Sequence, residues 1–396
     1  MCKRYDVTCV YDRNKSLFDS CPELIGVHIY HSIEEISEHY GKEFDLAVIG
    51  AAEKTVYEEL KSILEINGIS IFSTSEKCVS VEAAGCSSKY EQTRCLKNGC
   101  AENNGIAICI YTKDSEMIIE TYTHYEFLLK NGTVRLFWPI SDRQTVETVQ
   151  FDEACVLGME WEDNLWHFVF DCVWHVYSME SQGYKGQYII YDSEFSRTYL
   201  KLMKVSENRV VFVDRHSDHI IYDVKNLYVP IYPGSEIAAE YITAMARAVL
   251  VNLTAEIKSK MNYGNIFVKR VGTRRVSENV EILLKEKGFI TIVPEELSVE
   301  EQIACFSQAD IVVCPHGAGS TNSIFMKNDA AFIELFGKAY IAPCCLETIL
   351  RQDIKYRMLV ENTGHDSTDE RMKYKKENNY EINDILLEIT LKELMG

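Results

Sequence analysis

Apolar and polar positions alternate most regularly in the second half of the chain. Asn265 to Lys269, Ile290 to Val293, Ile311 to Val313 and Ala330 to Leu335 are short apolar runs of the kind found in strands buried on both faces. Helical spacing lies between them: Val280 to Lys287, capped by Ser277 and closed by Gly288, and a stretch through Glu301 to Ser307. Strand and helix in alternation predict a parallel sheet. Upstream, Tyr232-Pro233-Gly234-Ser235 breaks the pattern and marks a boundary between two α/β halves, with one long helix expected from Ile237 to about Met261. A charged loop over 362–379 and a last helix over 383–395 close the chain.

The first half is less regular. Residues 1–75 alternate strand and helix signals: Tyr5 to Val10, Gly26 to Tyr30 and Asp45 to Gly50 are strand-like, and Ile33 to Tyr40 and Lys54 to Asn67 are helical. A small parallel α/β unit is expected there. Residues 76–104 are polar and rich in cysteine, and read as a linker or irregular excursion. Strand-like runs follow at 106–112, 117–123 and 134–138, with a hairpin signal at Asn131-Gly132. Asp163 to Met179 has apolar residues at helical spacing, which puts His167, Asp171 and His175 on one helix face. Gln187 to Tyr191, Arg209 to Val213 and Leu227 to Ile231 are further short strands.

Composition narrows the function classes. The 396 residues carry a net charge of −19, which argues against nonspecific binding to nucleic acid or to an anionic membrane. The N-terminus has no apolar signal-like run and no stretch is long enough to span a membrane, so a cytoplasmic protein is expected. Fourteen cysteines fit that reduced setting as small hydrophobes. The spacings among Cys78, Cys86, Cys95, Cys100 and Cys109 match no zinc template, so no metal site is expected.

The candidate chemistry concentrates in Asp310 to Phe336. The strand ends at Pro315, and His316, Gly317, Ala318 and Gly319 lead through Ser320, Thr321 and Asn322 towards a helix start. Backbone N–H groups at such a turn hold phosphate. Arg270, Arg274 and Arg275 follow the C-terminal end of a neighbouring strand, the edge where open α/β sheets bind ligands. Glu334, 18 residues after His316, suits sugar or ribose hydroxyls better than phosphate. His167 with Asp171 forms a His–carboxylate pair able to act as a general base, and a polar stripe on an ordinary core helix is the competing account.

NLWHFVFD (164–171), IFVKRVGTRRVSENVEI (266–282), LSVEEQIACFSQADIVVCPHGAGSTNSIFM (297–326) and AAFIELF (330–336) together resemble, in order, segments of glycosyltransferase family 61. Ser320 stands where that family has a large apolar residue, and Glu278-Asn279 where it has Asn-Glu. The resemblance implies an α/β fold of GT-B architecture, two Rossmann-like domains facing a cleft. It also implies inversion at the anomeric carbon, no cofactor or required metal, and a nucleotide-sugar donor, most often linked to uridine diphosphate. The expected division is an accessory module over 1–75, an acceptor-side domain over 76–234, a donor-nucleotide domain over 235–375 and a C-terminal helix over 376–396. Residues 1–75 resemble modules appended to bacterial surface-polysaccharide enzymes, implying a glycan or glycoconjugate acceptor and peripheral association with assembly machinery. A nucleotide-sugar epimerase and a non-catalytic nucleotide-sugar-binding scaffold remain alternatives at this stage.

Overall fold

The computed structural model describes residues 78–118, 147–338, 344–361 and 379–395, short breaks apart, and short segments before residue 78. The chain divides into two compact units, residues 1–77 with 124–139 and residues 78–123 with 140–396. In the first, Cys9–Tyr11 (β1) pairs in parallel with His28–Tyr30 (β2), and Ala47–Val48 (β3) with Ile71–Phe72 (β4). The helix expected over 33–40 and the hairpin at Asn131-Gly132 lie outside the described residues.

The second unit contains two sheets. Cys78–Val79 (β5), Thr93–Asn103 (β6), Ile108–Tyr111 (β7), Met117–Ile118 (β8), Glu147–Val156 (β9), Gln187–Tyr191 (β10), Val210–Val213 (β11) and Ile220–Pro230 (β12) form the first, in the order β11-β10-β9-β12-β6-β7-β8-β5. β9, β10, β11 and β12 run parallel, while β6 is antiparallel to both β12 and β7. The sheet is therefore mixed, where the resemblance implied a Rossmann-like domain. Residues 76–104 are a correction as well: β6 is an eleven-residue strand inside the sheet. Cysteine, glycine and alanine gave it no strand signature, but β12 binds its backbone along nearly its whole length and β7 joins on the other side at Cys100 to Asn103. The suspected cysteine cluster is spread along this ladder, with Cys95 and Cys100 on β6 and Cys109 on β7. Among the described residues no group of three or more His, Cys, Asp or Glu is placed to hold a metal ion.

Between β9 and β10 runs one continuous helix, α1, over 165–181, and Glu194–Leu202 (α2) follows β10. The long helix expected after the Tyr232–Ser235 break is two, Ser235–Asn252 (α3) and Ala255–Lys260 (α4). Thr254 causes the split: its side chain accepts from Ile257 N and starts a new helix, as an N-cap does.

Asn265–Val268 (β13), Ile290–Ile292 (β15), Ile311–Pro315 (β16), Ala331–Phe336 (β17) and Lys355–Val360 (β18) form the second sheet, all parallel, in the order β15-β13-β16-β17-β18. Arg275–Val276 (β14) pairs apart from it with Asn379–Tyr380 (β19). Numbered within the sheet, this is the doubly wound order 2-1-3-4-5 of flavodoxin-like folds. Glu278–Glu286 (α5), Val299–Gln308 (α6), Leu346–Leu350 (α7) and Asp384–Met395 (α8) are its helices. Alternation along the strands explains both coverings. Ile266, Val268, Val312 and Cys314 enter a core shared with α1, α2, α3 and the first sheet. Phe267, Ile311, Val313 and Ile333 enter a second core with α5 and α8. A parallel sheet is stable only when both faces are covered in this way.

Candidate functional site

In a 2-1-3-4-5 sheet the chain departs from the first strand to one side and reaches the third on the other. The crevice therefore opens between the carboxyl ends of β13 and β16, and both signature loops lie there. Arg270, just past β13, donates from Nε to Thr273 O at 2.6 Å and from Nη1 to His316 O at 3.1 Å, which ties one loop to the other. Gly317 is a glycine because of that contact: a Cβ there would collide with Arg270 Nη1. Burial, and then the charge of Arg274, lower Arg270 from the ordinary guanidinium value. A cation held in this way favours an anion beside it. Arg274 itself sits at φ 61°, turning the loop back on itself. Arg275 is exposed on β14, and of the three arginines Arg270 alone is on the cavity lining.

The loop after β16 continues as a 3-10 helix, Ala318–Phe325, where an ordinary helix start was expected. Ala318 and Gly319 line the crevice. The side chains of Ser320, Thr321 and Asn322, expected as ligands, are buried. Ser320 Oγ donates to Gly317 O at 2.7 Å, and Asn322 Nδ2 donates to Gln302 Oε1 at 3.1 Å. Gln302 Nε2 in turn donates to Pro294 O and Leu297 O, at 2.9 and 3.2 Å. These polar residues brace the loop against the turn after β15.

Glu334, expected to meet sugar or ribose hydroxyls, is buried as well. Its side chain is 1% exposed and both oxygens are engaged, Oε1 with His316 Nδ1 at 2.7 Å and Oε2 with the Tyr356 hydroxyl at 2.8 Å. Each carboxylate oxygen is thus held by a side chain of the protein. The carboxylate acts through His316, whose ring is also stacked on Phe336 at 4.7 Å. Tyr356, on β18, gave no sequence signal, because its role depends on β17 and β18 being neighbours.

The facing wall comes from α1. Asn164 caps it, accepting from Trp166 N at 3.0 Å. His167 Nδ1 lies 2.6 Å from Asp171 Oδ2, with the imidazole 22% exposed and the carboxylate 2%. An ionised carboxylate only accepts, so Nδ1 carries the proton and Nε2 is the basic nitrogen. Trp161 and Trp166 flank the ring at 4.9 and 4.8 Å. From Phe168 to Val173 the helix widens into a π-turn, and the expected face of three residues breaks there. His175 is buried, its ring nitrogens 3.2 Å from Cys172 O and 3.1 Å from Ile231 O. Burial pushes its imidazole down to about 4, so it is a neutral core residue.

The two walls enclose a cavity of about 690 Å³, within the size range of small-molecule sites. His167 and Arg270 both line it, and so do four residues that sequence reasoning missed as site residues: Trp161, Glu194, Glu295 and Gln302. Glu194 is committed structurally, since its Oε1 accepts Val299 N at 3.0 Å and joins α2 to the start of α6. Glu162, between two cavity-lining neighbours, is buried, and that burial pushes its carboxyl up to about 8 against the attraction of Arg215.

A cleft at the switch point of a parallel sheet thus brings together a half-buried arginine tied to the glycine loop and, opposite, a His–carboxylate pair. Residues 165–333 match the family model described as Glycosyltransferase 61. The match contains α1 with His167, the Arg270 loop and the glycine loop, and on it the protein is a glycosyltransferase. No curated protein matches the chain. Among the described residues no helix is long and apolar enough to cross a membrane.

Proposed function

We propose that the protein moves a sugar from a nucleotide-sugar donor, with uridine diphosphate as the leaving group, to a glycan or glycoconjugate acceptor with inversion at the anomeric carbon. The reading extends to a GT-B-like arrangement of the two sheets around the cleft and to a cytoplasmic step of bacterial surface-polysaccharide assembly. The observation that carries it is the placement of His167, paired with Asp171, and of Arg270 on the lining of one cavity. The two groups match the two demands of a displacement at the anomeric carbon. One end must lose a proton, and the other must accommodate a departing diphosphate.

In this mechanism the diphosphate lies against Gly317–Gly319, where backbone groups and the Arg270 guanidinium meet the charge that develops as the glycosidic bond breaks. His167 Nε2 takes the proton of the acceptor hydroxyl, and Asp171 stabilises the imidazolium that forms. Asp171 also fixes the tautomer and the ring direction, which a freely rotating imidazole would lack.

Calorimetry with uridine diphosphate tests the donor half. Arg270→Ala is expected to weaken binding by roughly ten- to hundredfold, as for loss of a charged hydrogen bond of about 1.5–3 kcal/mol. Unchanged affinity would place the diphosphate elsewhere.

A further inference from the structure

With Glu334 enclosed between His316 and Tyr356 and one oxygen of Glu194 bound to Val299 N, the carboxylates left on the cavity lining are Asp163, beside the cap of α1, and Glu295, on the side of the Arg270 and glycine loops. Glu295 is exposed, lines the cavity and makes no hydrogen bond or ion pair among the described residues, and its charge reaches Arg270. Its place in the fold is informative. It lies just beyond β15, the second strand of the sheet in chain order, which is hydrogen-bonded alongside β13, the first. In dinucleotide-binding folds the carboxylate that takes ribose hydroxyls stands near the end of the second strand, about 20 residues after the first turn. Glu295 follows Arg270 by 25 residues (295 − 270). Neighbouring strands are about 5 Å apart, so phosphates seated over β13 and β16 leave the attached ribose one strand further on, above the end of β15.

The turn that carries Glu295 is also held rigid. Pro294–Glu296 is a 3-10 turn closed by Glu296 N to Val293 O at 3.0 Å and Leu297 N to Pro294 O at 3.1 Å. Gln302 grips Pro294 O and Leu297 O, and Asn322 of the glycine loop grips Gln302. A phosphate-side loop and a hydroxyl-side turn are thereby fixed relative to each other through one amide pair.

We propose that Glu295 accepts hydrogen bonds from the vicinal 2′- and 3′-hydroxyls of the donor ribose, an assignment that rests on the nucleotide-sugar reading above. A carboxylate presents two acceptors in one plane and no donor, which matches a diol and opposes a phosphate in the same place.

The test pairs a protein change with ligand changes. Affinities of wild type and Glu295→Gln for uridine diphosphate, 2′-deoxyuridine diphosphate and 3′-deoxyuridine diphosphate are measured by calorimetry. Wild type is expected to lose roughly ten- to hundredfold affinity when a hydroxyl is removed, and Glu295→Gln to discriminate far less between the three. Glu295→Gln that keeps the full discrimination overturns the assignment, with the carboxylate then acting only on Arg270. A wild type that binds all three equally overturns it too while leaving the diphosphate site intact. A wild type that binds none overturns the donor reading, and this assignment with it.

Discussion

At the residue scale, the site depends on a few contacts that leave no slack. Gly317 and Arg270 are the clearest pair, because any Cβ on the glycine occupies the guanidinium's position. Gly317→Ala is therefore expected to displace the guanidinium and lower affinity for uridine diphosphate, though less than removing the arginine, whereas Gly319→Ala, whose Cβ would meet Val268 only at 3.6 Å, leaves it near wild type. Calorimetry on the two alanine variants checks the contrast. Glu162 gives a pH signature. Its folded value of about 8 exceeds the ordinary carboxyl value, so the folded state holds a proton that the unfolded chain releases near 4.5. The resulting stabilisation is complete below about 4.5 and is lost as pH rises towards 8. Glu162→Gln is expected to flatten the decline in melting temperature across that window, as measured by thermal denaturation at several pH values. An unchanged slope would mean that other groups cause it.

At the element scale, β17 and β18 hold the far side of the site. Tyr356→Phe leaves Glu334 Oε2 buried without its donor, a loss expected to cost about 1–3 kcal/mol in stability by chemical denaturation. The π-turn in α1 is the other decisive element, since it separates His175 from the His167–Asp171 pair. Much of this scale was legible in advance. β13, β15, β16 and β17 lie where β-branched runs placed them, because strands buried on both faces leave a continuous apolar signal. The inward direction of Ser320, Thr321 and Asn322 was not legible: good capping residues suggested an ordinary helix start, and the chain adopts a 3-10 helix that buries them. Strand β6 escaped notice for a related reason. Its pairing is set by distant β12, and no local propensity encodes that.

At the scale of the molecule, the two sheets of the larger unit share one apolar core, in which Tyr188 and Trp174 from one half join Phe325 and Phe332 from the other. Neither half buries its inner face alone, so the two are expected to unfold together. Phe325→Ala, with a cost of about 3–5 kcal/mol, should raise hydrogen exchange in β10 and β16 alike. Exchange rising in β16 alone would show two independent cores. The shared core also fixes the distance across the cleft, so the base on α1 and the cation after β13 meet one substrate between them. That division of labour is the central claim, and His167→Ala tests it most directly when turnover and donor affinity are measured on the same protein. The expected result is sugar transfer reduced by at least about a hundredfold, as for loss of a general base, with affinity for uridine diphosphate within about twofold of wild type. Transfer at the wild-type rate, or affinity lost in step with turnover, would contradict it.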